Sequence, residues 1–471
     1  MTYLELSEDS GSAHKFYEVV VSGTDVSISY GRIGVPGQVK VSSFATPAKA
    51  QAAAQKKIDE KMRKGYAPAV RGVRLRRAVT HRPTVSRAST AKRAPVLWRF
   101  ASGSAAFGIF VDQERCWVGN QRGDVYKVTH DGTVVGHFKL PDGVKCVVGD
   151  DFWIYAGADD GRVYDLSGKV PRVAYEIAED VDIYWLDICD GVLGVSDVAG
   201  RVTAIDHEDE FQWERKSDGS SGWMVRCDRD GVYHGHSEGV ARYDAGSGRP
   251  VWQARIPGAV LFGWQEERSV YAGTTADRVV RLAKADGRVE ATYHCDDTIY
   301  SCATAAGGKY VFAGDSSSSV YCFDENGTRL WKLATGCGSA LSMQYLDERL
   351  YIVTGQGTLA CIDASEAAIL AAQAGTVPDP VDVKAAAGLV PVVPTLVLET
   401  AADSDEGVIV ECYGEGDRLR VRVLSPGYDQ GWHVQFPKGI REAGARYLVE
   451  GIRTSGGGGF YRAYGEIRRV R

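Results

Sequence analysis

One short pattern recurs seven times through the middle of the chain. It constrains the fold more than any other feature. At one phase it reads Gly119-Asn120-Gln121-Arg122-Gly123-Asp124-Val125-Tyr126, then Gly157-Ala158-Asp159-Asp160-Gly161-Arg162-Val163-Tyr164. The next copies are Ser196-Asp197-Val198-Ala199-Gly200-Arg201-Val202 and Gly235-His236-Ser237-Glu238-Gly239-Val240-Ala241. Then come Gly273-Thr274-Thr275-Ala276-Asp277-Arg278-Val279, Gly314-Asp315-Ser316-Ser317-Ser318-Ser319-Val320-Tyr321, and Thr354-Gly355-Gln356-Gly357-Thr358-Leu359. First residues at 119, 157, 196, 235, 273, 314 and 354 give spacings of 38, 39, 39, 38, 41 and 40.

A period near 40, with a Gly-rich turn between β-branched and aromatic runs, predicts one four-stranded propeller blade per copy. Most copies end in an Asp, a Gly-containing turn and an aromatic strand, as in Asp244 through Trp252 and Asp324 through Trp331. The last copy stops near Ile362-Asp363-Ala364-Ser365 without that strand. The strand it lacks, Val96-Leu97-Trp98-Arg99-Phe100, stands before the first copy. Placed in the seventh blade it closes the ring and pairs an edge otherwise left open. The fold class is therefore mainly β, with a seven-bladed propeller over residues 95–366.

These repeats resemble the quinoprotein-like and WD40-like propeller superfamily. The Asp-x-x-x-Gly-x-x-x-Trp endings are similar to repeats of quinone-dependent dehydrogenases. The resemblance bears on fold before chemistry, because propellers host both enzymes and inert platforms.

Residues 1–66 read as a compact α+β unit. Strand-like runs cover 3–6, 15–22, 26–30 and 39–44, followed by a helix from Pro47 to Arg63. Thr46 suits the N-cap and Pro47 the first turn. Lys15-Phe16-Tyr17-Glu18, Tyr30-Gly31-Arg32-Ile33-Gly34, Gly37-Gln38, Phe44, the Ala-rich helix and Gly65-Tyr66 together resemble a WGR domain. That module occurs in some poly(ADP-ribose) polymerases and in many bacterial proteins. Tyr30 stands where the family usually has Trp. The resemblance implies DNA-end binding: Tyr30 and Gly31 at a sugar, Arg32 on a phosphate, with Gln38 and Lys40 on the adjoining hairpin and Lys56 and Lys57 on the helix. An Arg fork suits phosphate because it donates two parallel hydrogen bonds. The alternative is that Tyr30 and Arg32 only organise the hairpin.

Charge is divided along the chain. Residues 1–93 hold 17 Lys/Arg and 7 Asp/Glu, a net of +10, which leaves −16 for the remainder of a chain of net −6. Residues 67–94 read as a basic linker carrying Arg74, Arg76 and Arg77 and no acid. Such a segment adds salt-sensitive affinity for a polyanion, or is a plain linker resting on the acidic propeller. Residues 367–390 read as a short helix and connector, and 391–471 as a small barrel-like all-β domain. Its strands are expected over 395–400, 407–413, 418–424, 432–436, 446–452 and 460–470.

No apolar run reaches the ~18 residues that a membrane helix needs. The start lacks a signal peptide's basic and apolar regions, so the expected location is the cytoplasm. The ten cysteines include no C-x-x-C pair. Cys146, Cys189, Cys227 and Cys302 are expected at one blade position, and Cys322 and Cys361 at another, as small hydrophobes. His234 and His236 share a sheet face without further local ligands, so no metal is expected. No cofactor is expected: blade count and export signal both depart from quinone dehydrogenases. No nucleotide-loop, zinc-protease or nucleophile-elbow motif occurs.

The propeller mouth offers Asp180, Asp182, Tyr184, Trp185, Trp223, Phe262, Asp296, Asp297 and Tyr300. An acidic, aromatic rim suits a Lys/Arg-bearing peptide; the bland reading packs the aromatics between blades. The sequence thus points to a non-enzymatic modular binding protein, with DNA and a protein as partners. The alternative is a pure scaffold beside bacterial AAA+ and von Willebrand-type proteins.

Overall fold

The computed structural model describes residues 2–7, 14–32, 37–64, 66–68, 84, 86–177, 182–374, 381–383, 389–394, 398–400 and 407–470. The chain forms two compact units: Met1–Thr80 with Ala178–Asp182, and His81–Ile177 with Ile183–Arg471.

The first unit is a five-stranded antiparallel sheet with one helix. From the outer edge its strands are Gln38–Ser43, Asp25–Arg32, His14–Ser22, Thr2–Ser7 and Ala67–Pro68. The last pairs Leu4 with Pro68, so the sheet extends beyond residue 66. The helix Pro47–Arg63 starts where Thr46 Oγ1 accepts the Lys49 N–H at 3.3 Å. Ala50, Ala54 and Ile58 recur every four residues and face Leu4, Tyr17, Val19, Val26 and Tyr66 in the core. Two glycines pack closely beside one ring: a Cβ on Gly37 would lie 2.4 Å from the Phe16 ring, and one on Gly31 would come within 3.0 Å of Gly37 Cα.

The second unit is built around seven blades. Six span residues 106–139, 144–176, 183–216, 224–255, 260–294 and 299–334. The seventh orders Ala340–Leu346, Arg349–Thr354, Thr358–Asp363, Val96–Ala101 and Val381–Val383. Trp98 lies opposite Cys361, so a strand from before the first blade closes the ring. Val381–Val383 joins it in parallel, giving this blade a fifth strand from the segment read as connector. The helix of that segment is Glu366–Ala374.

The repeated turn has a common chemical cause. Its second residue supplies an acceptor for the turn's backbone N–H groups in every copy but the second, where Ala158 stands there and Asp160 takes the Arg162 N–H instead. Asn120 Oδ1 receives Arg122 and Asp124 at 2.9 and 3.1 Å, and Asp315 Oδ1 receives Ser317 and Ser319 at 2.9 and 2.8 Å. Asp197 caps Arg201, Thr274 caps Ala276, and Thr354 caps Thr358. Thr354 therefore occupies the second place, not the first: Val353 pairs with Ser342 as Gly314 pairs with Ser301. The seventh copy begins one residue earlier than its sequence suggests, because its Thr-Gly dipeptide mimics the usual opening.

The aromatic blade ends tie neighbours together. Trp98, Trp213 and Trp252 each donate an indole N–H to a carbonyl 32 residues onward, at His130, Ala245 and Lys284 (3.1, 2.9 and 2.8 Å).

All ten cysteines are free. The expectation of one shared position for Cys146, Cys189, Cys227 and Cys302 is corrected. They share the inner strand but not its register, lying opposite Gly157, Val192, Val232 and Ala313. Their runs of apolar residues look alike, and only pairing separates them. Burial raises the Cys146 and Cys302 thiols to about 12, as expected of packing groups.

Residues 408–470 close into a five-stranded barrel. Strands Phe460–Val470, His433–Gln435, Arg418–Val423, Val408–Glu415 and Arg446–Thr454 follow in ring order, and Leu398–Thr400 adds to the first. The barrel shares one compact unit with the propeller. Arg462 is fully buried between them, 2.8 Å from Asp150 and donating to Tyr155 Oη at 2.6 Å. Phe460 stacks on His207 of the third blade at 3.7 Å. A Cβ on Gly168 would come within 2.1 Å of Gly465 Cα, so the backbones meet there.

Candidate functional site

On the N-terminal sheet, pairing register puts Gln38, Tyr30, Tyr17 and Leu4 in one row across four strands. Tyr30, at the outer end, is 39% exposed and donates its hydroxyl to Gln38 Oε1 at 3.0 Å. Its ring lies 6.3 Å from that of Tyr17. Tyr66 meets Tyr17 edge-on at 6.3 Å, and Lys61 Nζ stands 4.6 Å and 5.0 Å from these two rings. The result is an aromatic row with a cation over its inner half and an open ring at its outer end. The sequence reading missed Tyr17, Lys61 and Tyr66 as site residues, because only strand register brings Tyr17 beside Tyr30 and only helix packing brings Lys61 and Tyr66 onto Tyr17.

Lys40 lies two residues further along the edge strand, opposite Ile28. Lys56 and Lys57 are exposed on the helix. Lys57 and Lys64 share Glu60, at 3.2 and 3.0 Å. Their hydrogen bonds hold the Glu60 carboxyl down at about 2. The charge of Lys57 is therefore partly spent within the helix. Gly31 lies opposite Phe16 and the Arg32 backbone opposite Lys15. The Arg32 side chain, Arg74, Arg76 and Arg77 lie outside the described residues. On the edge strand Val39 and Val41 are 64% and 61% exposed.

The later part of the basic linker lies on the propeller. Arg87 N–H donates to the Ser316 carbonyl at 3.1 Å, Ser319 Oγ to Ser89 Oγ at 2.8 Å, and Ala334 N–H to the Lys92 carbonyl at 2.6 Å.

The aromatic residues assigned to the propeller mouth are buried in packing. Tyr184 stacks on Trp223 at 3.8 Å, and Trp185 meets Phe262 edge-on at 5.5 Å. Tyr300 packs with Phe107 and Leu341. The open aromatic rim expected from the sequence is thus corrected. Hydrophobic burial among the inner strands takes these rings inward: Tyr184 meets the adjacent blade, Trp185 and Tyr300 reach rings of non-adjacent blades, and Trp185 and Phe262 line a cavity there. Asp182 is half-buried, and Asp180 lies outside the described residues. Asp296 is held by Arg329 and Lys332 at 2.7 and 3.0 Å, and Asp297 by Ser317 at 2.6 Å.

His236 is a turn cap: its Nδ1 accepts the Glu238 N–H at 3.2 Å. His234 is fully buried, its ring nitrogens have no hydrogen-bond partner, and burial depresses its pKa to about 3. Among the described residues no three His, Cys, Asp or Glu side chains gather as metal ligands. Among them also, no helix is long and apolar enough to cross a membrane.

Comparison with known proteins places two families on this geometry. Residues 1–73 match the WGR domain, and residues 198–376 match the family described as outer membrane protein assembly factor BamB. The chain thus carries a WGR domain followed by a propeller of BamB-like repeats. The protein YehF of Escherichia coli (strain K12) is 43% identical over 54 residues, 12% of this chain and 20% of its own length. Among solved structures, the WD40 propeller domain of Doa1 overlays with a TM-score of 0.50 at 12% identity, over 59% of this chain and 99% of its own. The computationally designed Ika8 protein gives a TM-score of 0.46 at 13% identity, over 57% and 99% of the two chains. At 12% identity the likeness to the Doa1 propeller speaks for the fold alone.

Proposed function

We propose that this modular binding protein uses its WGR unit to bind nucleic acid at DNA ends or nicks, in the cytoplasm and without catalysis. Its propeller is a rigid platform for a protein partner. One observation carries the DNA reading: Tyr30 presents an exposed ring beside Gln38 on a WGR sheet. A sugar or unpaired base packs on such a ring, and Arg32 and Lys40 supply phosphate contacts. The basic residues 67–94 add sequence-independent attraction.

The test is titration of labelled intact, nicked and blunt-ended DNA with the full chain across a salt series, beside Tyr30→Ala and Arg32→Ala. Preference for ends or nicks that both substitutions abolish supports the reading. Weak binding that ignores DNA form and vanishes at physiological salt overturns it.

A second reading rests on a different observation. Val39 and Val41 expose apolar side chains on an unpaired edge strand, and such an edge can take a further strand from a protein. The protein is then a scaffold whose WGR unit contacts protein. Retention of a protein complex after nuclease treatment, with Val39→Lys breaking it, favours this reading.

A further inference from the structure

The inner strands of the propeller enclose charged groups that the repeated turns and the tryptophan ties do not use. They line a cavity of about 250 Å³ whose walls include Phe110, Trp185, Phe262 and Trp264. Two charges face each other there. Arg226 Nη1 is 3.7 Å from Asp187 Oδ1, beyond hydrogen-bond reach.

The remainder of each group is anchored. Asp187 Oδ2 accepts the Cys227 N–H at 2.7 Å, and Arg226 Nε donates to the Gly263 carbonyl at 2.9 Å. The guanidinium carbon lies 5.3 Å from the Trp264 ring and 5.5 Å from that of Phe262. Neighbouring amides are occupied. Gln344 holds both the N–H and the carbonyl of Val111, and Gln265 bridges the Cys227 carbonyl and Lys284. In the same wall, the Ser342 hydroxyl is buried, at 1% exposure, and has no hydrogen-bond partner. A carboxylate and a guanidinium are thus fixed on either side of a gap, with an unpartnered hydroxyl nearby.

The two charges select what enters. A cation is opposed by Arg226 and an anion by Asp187, and burial strengthens both repulsions. A neutral planar group with an N–H and a carbonyl on one edge suits both. Its N–H donates to Asp187 Oδ1, and its carbonyl accepts from Arg226 Nη1. The volume falls below the ~300–1,000 Å³ of drug-sized pockets, so the occupant is a single ring or side chain.

We propose that the channel is a binding site for a neutral carboxamide, read by the Asp187–Arg226 pair against the aromatic walls. Burial lifts the Asp187 carboxyl to about 6, with Arg226 and the Cys227 and Ile188 backbone N–H groups only partly offsetting it.

Benzamide, benzoate and benzamidine share one shape and differ in charge and hydrogen-bond pattern. Calorimetric titration of the full chain near neutral pH should find benzamide at least tenfold tighter than either. Asp187→Asn should shift preference toward benzoate, and Arg226→Gln toward benzamidine, with thermal melts verifying that both variants fold. N-acetylglutamine methylamide tells the sources apart. Tighter binding than benzamide identifies a partner's amide side chain, and weaker binding a free aromatic amide. The proposal is overturned if wild-type protein binds none of these amides, or binds benzoate or benzamidine as tightly as benzamide. It is also overturned if folded variants leave the preference unmoved.

Discussion

The Arg462 guanidinium of the C-terminal barrel sits 2.8 Å from the Asp150 carboxylate of the second blade, with the Trp153 ring 3.9 Å from its central carbon. Asp150 also receives the Asp190 and Gly191 N–H groups at 2.9 and 2.8 Å. One buried ion pair thus joins barrel, second blade and the following hairpin.

Removing one partner of a buried pair leaves the other charge uncompensated, at a cost of about 3–5 kcal/mol. Arg462→Ala should therefore lower stability by that order in urea denaturation. It should also expose the barrel to protease before the propeller. Arg462→Ala with Asp150→Asn should recover part of the loss. A single variant with wild-type stability would show that the pair does not brace the barrel.

Asp209 connects the same two elements, accepting the Lys438 and Glu176 N–H groups at 3.3 Å each. Burial raises its carboxyl to about 7, against an ordinary value of 3.8. Between these values the folded protein binds a proton that the unfolded chain has released. Its contribution to stability is therefore greatest near pH 4 and is lost as pH rises through 7. Asp209→Asn should remove this part of the decline, raising stability at pH 8 by on the order of 4 kcal/mol relative to pH 4. Parallel stability–pH curves for variant and wild type would count against it.

Glu60 occupies two lysines of the candidate nucleic-acid face. Glu60→Gln frees both charges and should tighten DNA binding several-fold at low salt, with a steeper salt dependence. Lys57→Ala should weaken binding less than Lys56→Ala, since Lys57 is partly spent. Fluorescence anisotropy across a salt series measures both. Weaker DNA binding by Glu60→Gln would place the interface elsewhere.

Trp252 and Trp331 end neighbouring types of blade strand but differ in one bond. The Trp252 indole donates to the Lys284 carbonyl at 2.8 Å, whereas the buried Trp331 indole N–H has no partner. Trp→Phe removes similar volume at both, so the difference isolates the hydrogen bond. Trp252→Phe should cost about 1 kcal/mol more than Trp331→Phe. Equal losses in thermal melts would show that packing alone joins the blades.

Much of this architecture was legible from local chemistry. The seven turns repeat because most place a short side-chain acceptor and a positive-φ residue, Gly in five copies and Asp277 and Ser318 in two, at fixed offsets within eight residues. The displaced strand Val96–Ala101 was legible because an Asp-turn-Trp ending was missing elsewhere. The barrel strands showed through alternation, as in Leu419 through Val423. The one-residue shift at Thr354 was not legible, since Thr and Gly stand at both candidate phases and only pairing with Ser342 and Ala340 separates them.

The sequence by itself determined the WGR-like and propeller folds, because turn chemistry, period and composition act over short distances, while the exposure of Tyr30 was left to the structure. Tertiary structure alone decided which residues meet. Closure of the ring brings Asp187 and Arg226, 39 residues apart in the sequence, to one cavity. Strand register sets Tyr17 beside Tyr30, and helix packing sets Lys61 over Tyr17. Barrel docking buries Arg462 against Asp150. Packing among the inner strands buries Tyr184 against Trp223 and sets Trp185 against Phe262 two blades away, because an aromatic ring gains more from such burial than from water.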